Sequence, residues 1–123
     1  MSHTLHKETQ TKMTKGLLDM IIFELLRHED MHGYQIISNI RKTYGVYFGP
    51  SSIYPMLSFF EKKGYIKSVW NMDSVRPRKV YTLTQQGKDV LEFYEHELNM
   101  ICRSLVGKNE NRIAAVVPQM VPA

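Results

Sequence analysis

The sequence predicts a mainly α-helical fold with a small β-hairpin wing: a winged helix-turn-helix followed by a single long C-terminal helix. Three observations predict it. Two apolar helical patterns follow one another over residues 15–44, and a third begins after Gly49-Pro50. Two alternating segments, 65–71 and 79–83, flank a turn that ends in Arg76-Pro77-Arg78. Leu91, Tyr94, Leu98, Ile101 and Leu105 then recur at spacings of three and four.

Each element has its own signal. Residues 1–14 are polar and weakly patterned, and read as an N-terminal arm or a short extra helix. Residues 15–84 make up the winged helix-turn-helix, 85–106 a dimerisation helix and 107–123 an irregular tail. Leu17, Leu18, Ile21, Ile22, Leu25 and Leu26 form a broad apolar face on the first strong helix. Asp30 and Gly33 mark the break after it. Ile36, Ile37, Ile40 and Tyr44 line the next helix, and Gly45 is placed to stop it. Ser51 or Ser52 is expected to cap the third helix with its hydroxyl. Pro55 is expected at the third or fourth helical position, where a missing N–H costs little. Ile53, Met56, Leu57 and Phe60 are the buried stripe of that helix, and Gly64 its stop. Pro77 suits the hairpin tip and not a central strand. Thr84 is expected to cap the last helix. The seam from Leu91 to Leu105 is about two heptads long and narrow, as for a partner helix. Pro118 and Pro122 break up the tail.

At 123 residues the chain is read as one domain. A hydrophobic content of 43% supports a modest core, which pairing of two chains would extend. No apolar run reaches the roughly 18 residues of a membrane span. Met1-Ser2-His3-Thr4 lacks the apolar region of a signal peptide. The single cysteine, Cys102, fits a reducing cytoplasm. The net charge of +4 is unevenly spread. Residues 41–88 hold nine Lys/Arg and two Asp/Glu, a net +7, whereas 89–110 hold two and five, a net −3. Positive charge therefore gathers on the helix-turn-helix and wing, as a polyanion partner requires.

Catalysis and metal binding find no support in the motifs. No Gly-rich phosphate loop, paired-carboxylate site or nucleophile elbow is present, so no catalytic residue and no cofactor is expected. His28 and His32 straddle a helix break, and Cys102 has no catalytic surroundings, so no metal site is expected either. Double-stranded DNA is the expected ligand. The outward face of the third helix carries Ser51, Ser52, Pro55 and Ser58, short enough to let a helix sit deep in a major groove. Tyr34 and Tyr54 can pack their rings while offering a phenol to phosphate. Arg76, Arg78 and Lys79 form the sharpest basic cluster, and Lys62 is a weaker backbone contact. Phe59 is adjacent to Phe60, so both cannot be core.

These residues resemble the PadR family of winged-helix transcriptional regulators. The resemblance runs through Lys15-Gly16-Leu17-Leu18-Asp19, Met31-His32-Gly33-Tyr34, Ser51-Ser52-Ile53-Tyr54-Pro55-Met56-Leu57, Glu61-Lys62-Lys63-Gly64 and Arg78-Lys79-Val80-Tyr81-Thr82-Leu83-Thr84-Gln85-Gln86-Gly87. It implies a homodimer whose C-terminal helix packs on its mate, and binding to a pseudo-palindromic operator, usually as a repressor. It also implies release by small phenolic or other aromatic ligands, although the short C-terminal part here suggests a reduced or absent pocket. The resemblance puts Tyr34, Ser52, Tyr54 and Lys79 on positions associated with DNA contact. Leu17, Leu18, Leu91, Tyr94, Leu98, Ile101 and Leu105 are assigned to the dimer interface. Ser58 and Phe59 stand where the family often has two basic residues. Trp70 lies on the wing and not on the C-terminal helix. Two other readings stay open: a protein-contact module, motivated by Phe59, and a metal or redox sensor using His28, His32 or Cys102.

Overall fold

A computed structural model of the chain describes residues 2–73 and 75–107. The chain divides into two compact units, Met1–Leu91 and Glu92–Ala123. The first unit contains α1 (His3–Gly16), α2 (Leu18–His28), β1 (Met31–His32), α3 (Gly33–Tyr44), α4 (Pro50–Lys63), β2 (Ile66–Asn71) and β3 (Arg78–Leu83). The long helix α5 (Gln85–Val106) begins in the first unit and supplies most of the described part of the second. The residues of the expected tail beyond Gly107 lie outside the described ones. Helices α3 and α4 with the β2–β3 hairpin make a winged helix-turn-helix.

The N-terminal segment is a full 14-residue helix, more ordered than its polar pattern suggested. Its order comes from capping and from tertiary bonds, not from an apolar stripe. Ser2 Oγ accepts from the Leu5 N–H at 3.1 Å. Gln10 Nε2 donates to Tyr44 O at 2.7 Å and Lys7 Nζ to Gly45 O at 3.3 Å, tying α1 to the end of α3. The helix break falls at Leu17, so α2 starts three residues later than Lys15.

Gly45 and Gly64 end α3 and α4 with φ of 71° and 81°, a left-handed conformation that glycine adopts without strain. The start of α4 departs from expectation. Its N-cap is Gly49, and neither Ser51 nor Ser52 caps it, because both already lie inside the first turn. Pro50 instead occupies the first helical position, where its fixed φ suits the helix. Pro55 is therefore the sixth residue and lies inside the helix, leaving the Ser51 carbonyl without its usual i+4 donor.

The sheet has the order β1-β3-β2 and is antiparallel throughout. The pair Met31↔Tyr81 and His32↔Val80 adds β1, a strand too short to leave a periodic signal in sequence. The core beneath it includes Ile22, Phe23, Ile36, Ile40, Ile53, Leu57 and Ile66, all essentially inaccessible. The Phe23 ring packs on Phe60 at 4.7 Å and edge-on to Tyr65 at 6.0 Å. Leu18 and Leu91 belong to this core, at 3% and 1% exposure. Both are packed within the protomer, which leaves little of either side chain for the dimer interface to which they are assigned. Leu17 and Tyr94 are half-buried, as is Leu98, while Ile101 and Leu105 are 51% and 78% exposed.

Thr84 joins wing to helix. Its Oγ1 lies 2.6 Å from Gly64 O and 3.0 Å from Tyr65 O, and accepts from the Gly87 N–H at 3.1 Å. The expected cap of the last helix is thus present. Gly87 presses so closely against Tyr65, just before β2, and the end of β3 that a Cβ there would lie 2.1 Å from Tyr65 O and 2.5 Å from Leu83 Cδ1. A backbone oxygen cannot rotate away as a side chain can. Gly87→Ala is expected to destabilise the fold by about 1–3 kcal/mol, the usual cost of overpacking, read as a lower midpoint in urea unfolding.

Candidate nucleic-acid interface

An open cleft of about 680 Å³ lies between the start of α3, the exposed face of α4 and the hairpin. It brings together Tyr34, Tyr54, Ser58, Arg76, Arg78 and Lys79 from the sequence-derived set. Ser51, Ser52 and Lys62 are exposed on α4 but do not line it. Register explains the gathering. Because His32 pairs with Val80, the first turn of α3 is held beside Arg78 and Lys79.

Arg78 is held by Tyr34. Its Nη1 donates to the Tyr34 hydroxyl at 2.7 Å, and its guanidinium carbon lies 5.0 Å from the ring centroid. The His32 ring stacks nearly parallel on Tyr34, with centroids 5.5 Å apart. His32 is fixed in turn: its N–H donates to Gln35 Oε1 at 2.8 Å, and its Nδ1 lies 3.3 Å from Lys79 O. His32 is therefore both the N-cap of α3 and a packed ring. Tyr54 owes its place to Gly33, since a Cβ on Gly33 would lie 2.5 Å from the Tyr54 ring.

Lys79 is held differently. Its ammonium sits 5.7 Å from the centroid of Trp70 and 4.0 Å from Glu61 Oε1. Glu61 Oε2 accepts from the Ser68 hydroxyl at 2.5 Å. Burial, with the neighbouring Glu61 and Tyr54, holds the Tyr81 phenol above its ordinary pKa, so it stays protonated. Sequence reasoning missed Glu61 and placed Trp70 only on a strand. Glu61 looked like a helix-ending residue, and nothing local shows that it faces a strand residue 18 positions on. Phe59 is 53% exposed, its ring edge-on to buried Phe60 with the Lys63 ammonium 5.6 Å from its centroid. Among the described residues no group of three or more His, Cys, Asp or Glu is placed to hold a metal ion. Among them also, no helix is long and apolar enough to cross a membrane.

This arrangement is that of a regulator of the winged-helix class. The sequence model of the transcriptional regulator PadR-like family matches residues 22–93, more than half of the chain, and the chain belongs to that family. It is similar to the transcriptional regulator YqjI of Escherichia coli (strain K12), at 33% identity over 88 residues. That match takes in 70% of this chain but only 41% of the relative, so the chain spans about two fifths of that protein's length. A transcriptional regulator from Clostridium thermocellum superposes with a TM-score of 0.70 at 26% identity, covering 80% of this chain and 98% of that one. Bacillus subtilis PadR, solved in complex with operator DNA, superposes with a TM-score of 0.59 at 31% identity, covering 63% of this chain and 46% of that one.

Tyr34→Phe keeps the ring beneath Arg78 but removes the hydroxyl that the guanidinium uses. At this exposed site the unfolding free energy is expected to change by less than about 0.5 kcal/mol. The Arg78 side chain should nonetheless become more mobile, read as a drop in the ¹⁵N order parameter of its Nε.

Proposed function

We propose that this chain is a sequence-specific DNA-binding transcriptional regulator that acts as a homodimeric repressor on a pseudo-palindromic operator. The observation that carries this reading is the convergence of Arg76, Arg78 and Lys79 with the exposed face of α4 across one cleft. The α4 face is small and polar at Ser51, Ser52 and Ser58, and lies along a helix that can enter a major groove. The hairpin cations would then meet phosphates of the flanking backbone. The similar Bacillus subtilis protein bound to operator DNA supports the same choice of partner.

The dimer is proposed to form through the outer part of α5, where Ile101 and Leu105 are exposed and continue the seam of Tyr94 and Leu98. A two-fold dimer places its half-sites about one helical turn, roughly 34–36 Å, apart. The resemblance adds release by a small aromatic ligand. The proposed setting is the cytoplasm, where Cys102 stays reduced. One observation favours a second reading: Phe59 is a large apolar side chain exposed on α4, which fits a protein-contact module.

Fluorescence anisotropy separates the two. Labelled duplex from upstream of its own gene is compared with scrambled duplex at two salt concentrations. Preferential binding to the upstream duplex that persists at the higher salt supports the regulator. Absence of binding to either duplex at low salt supports the protein-contact reading. Arg78→Ala should weaken binding and reduce the slope of log K against log salt by about one. Leu98→Gln should shift the protein toward monomer in sedimentation velocity; an intact dimer would remove Leu98 from the interface.

A further inference from the structure

We propose that Glu61 is an electrostatic brake on DNA affinity, acting through Lys79. The inference rests on the DNA-binding reading above and names a residue of that site that opposes binding.

Glu61 projects from the last turns of α4 toward the hairpin. Both of its carboxylate oxygens are engaged there: Oε2 accepts from Ser68 on β2, and Oε1 faces Lys79 on β3. Ser68 therefore fixes the carboxylate against the strand pair, and the Trp70 ring lies near the same ammonium. The two charged side chains are about equally exposed, Lys79 at 39% and Glu61 at 36%. A polyanion at the cleft can therefore reach Lys79 and compete with Glu61 for it. Arg78 makes the contrast clear. Its contacts are a neutral phenol and its ring, which orient the guanidinium without cancelling its charge. Of the two adjacent strand cations, one is presented and the other is withheld.

Duplex binding then has a defined cost. Lys79 leaves Glu61 for a phosphate, and the freed carboxylate attracts a cation from solution. Net counterion release is smaller than the number of phosphate contacts implies. The cost is the same for every sequence, because a phosphate contact carries no base information. Glu61 thus lowers binding to all DNA by a common factor.

The test uses Glu61→Gln, which keeps an oxygen for Ser68 and removes the charge. Full-length protein is titrated onto the upstream and scrambled duplexes over a salt series. An exposed ion pair of this length predicts about two- to fivefold tighter binding on both duplexes. The salt slope should steepen by up to about 0.9. The same substitution is then made in a Lys79→Gln background, where the gain should vanish. A gain that persists there overturns the proposal, because Glu61 would then repel DNA as a bulk charge. Unchanged or weaker binding by Glu61→Gln also overturns it. Trp70, the chain's only tryptophan, gives a readout without DNA. Its fluorescence should change on Glu61→Gln in the parent and stay constant in the Lys79→Gln background; the same change in both overturns the coupling. Wild-type protein that binds neither duplex overturns the DNA-binding reading and the brake with it, whereas wild-type binding unaffected by Glu61→Gln overturns the brake alone.

Discussion

The structure depends on β3 being hydrogen-bonded along both edges. Pairing with β2 over Ile66↔Leu83 to Asn71↔Arg78 builds the hairpin. Pairing with β1 at Met31 and His32 fastens that hairpin to the turn between α2 and α3. A one-residue slip in either register would exchange the faces of the strand, sending Tyr81 and Leu83 out of the core. The apolar side chains under the sheet specify the register, and the register places the cations. The buried positions of β3 thus determine where the exposed ones stand.

Four cations among the described residues are ordered by aromatic rings. Arg78 lies over Tyr34, Lys79 over Trp70, Arg41 over Tyr47 and Lys63 over Phe59, at 5.0–5.9 Å from the ring centroids. Contacts of this kind at exposed sites are worth about 0.5–1 kcal/mol each. They restrict a long side chain without neutralising it, so its field remains available to a polyanion. An acidic partner would restrict and neutralise together. Carboxylate pairing is found at Lys79, beside Glu61, and at Arg27, whose guanidinium lies against Glu24 on α2. The Arg27 interaction, with His28 beside it, holds the Glu24 carboxyl below its ordinary pKa despite some burial.

Much of the fold was legible because its signals are local. The apolar stripe of α4, the glycines at positions 45 and 64 and the Thr84 cap each follow from a few neighbouring residues. Most of what was less legible is decided by a long-range contact. The polar helix α1 is held by Tyr44 and Gly45, more than 30 residues away. The two-residue strand β1 exists only because β3 is there to receive it. At α4, Pro50 and Gly49 set the helix start and outweighed two good capping serines. Leu91 fits the seam by spacing but, like Leu18, is consumed by the protomer's core. The same division runs through the cleft. Its basic residues stand together in sequence, whereas the partners that orient them, Tyr34, Glu61 and Trp70, come from three different elements.

The sheet order β1-β3-β2 also bears on how the chain behaves when it is stressed. Among the described residues, β1 shields one edge of β3 with two residues, and β2 is paired on one side only. The six-residue β2 therefore presents an open ladder of backbone donors and acceptors, with Val69 and Trp70 exposed at 65% and 57%. Lys67 is the charge on that strand that discourages pairing with another extended chain. Aggregation on heating or at high concentration should therefore begin at the outer strand of the hairpin, and the basic residues of the cleft double as the protein's colloidal protection.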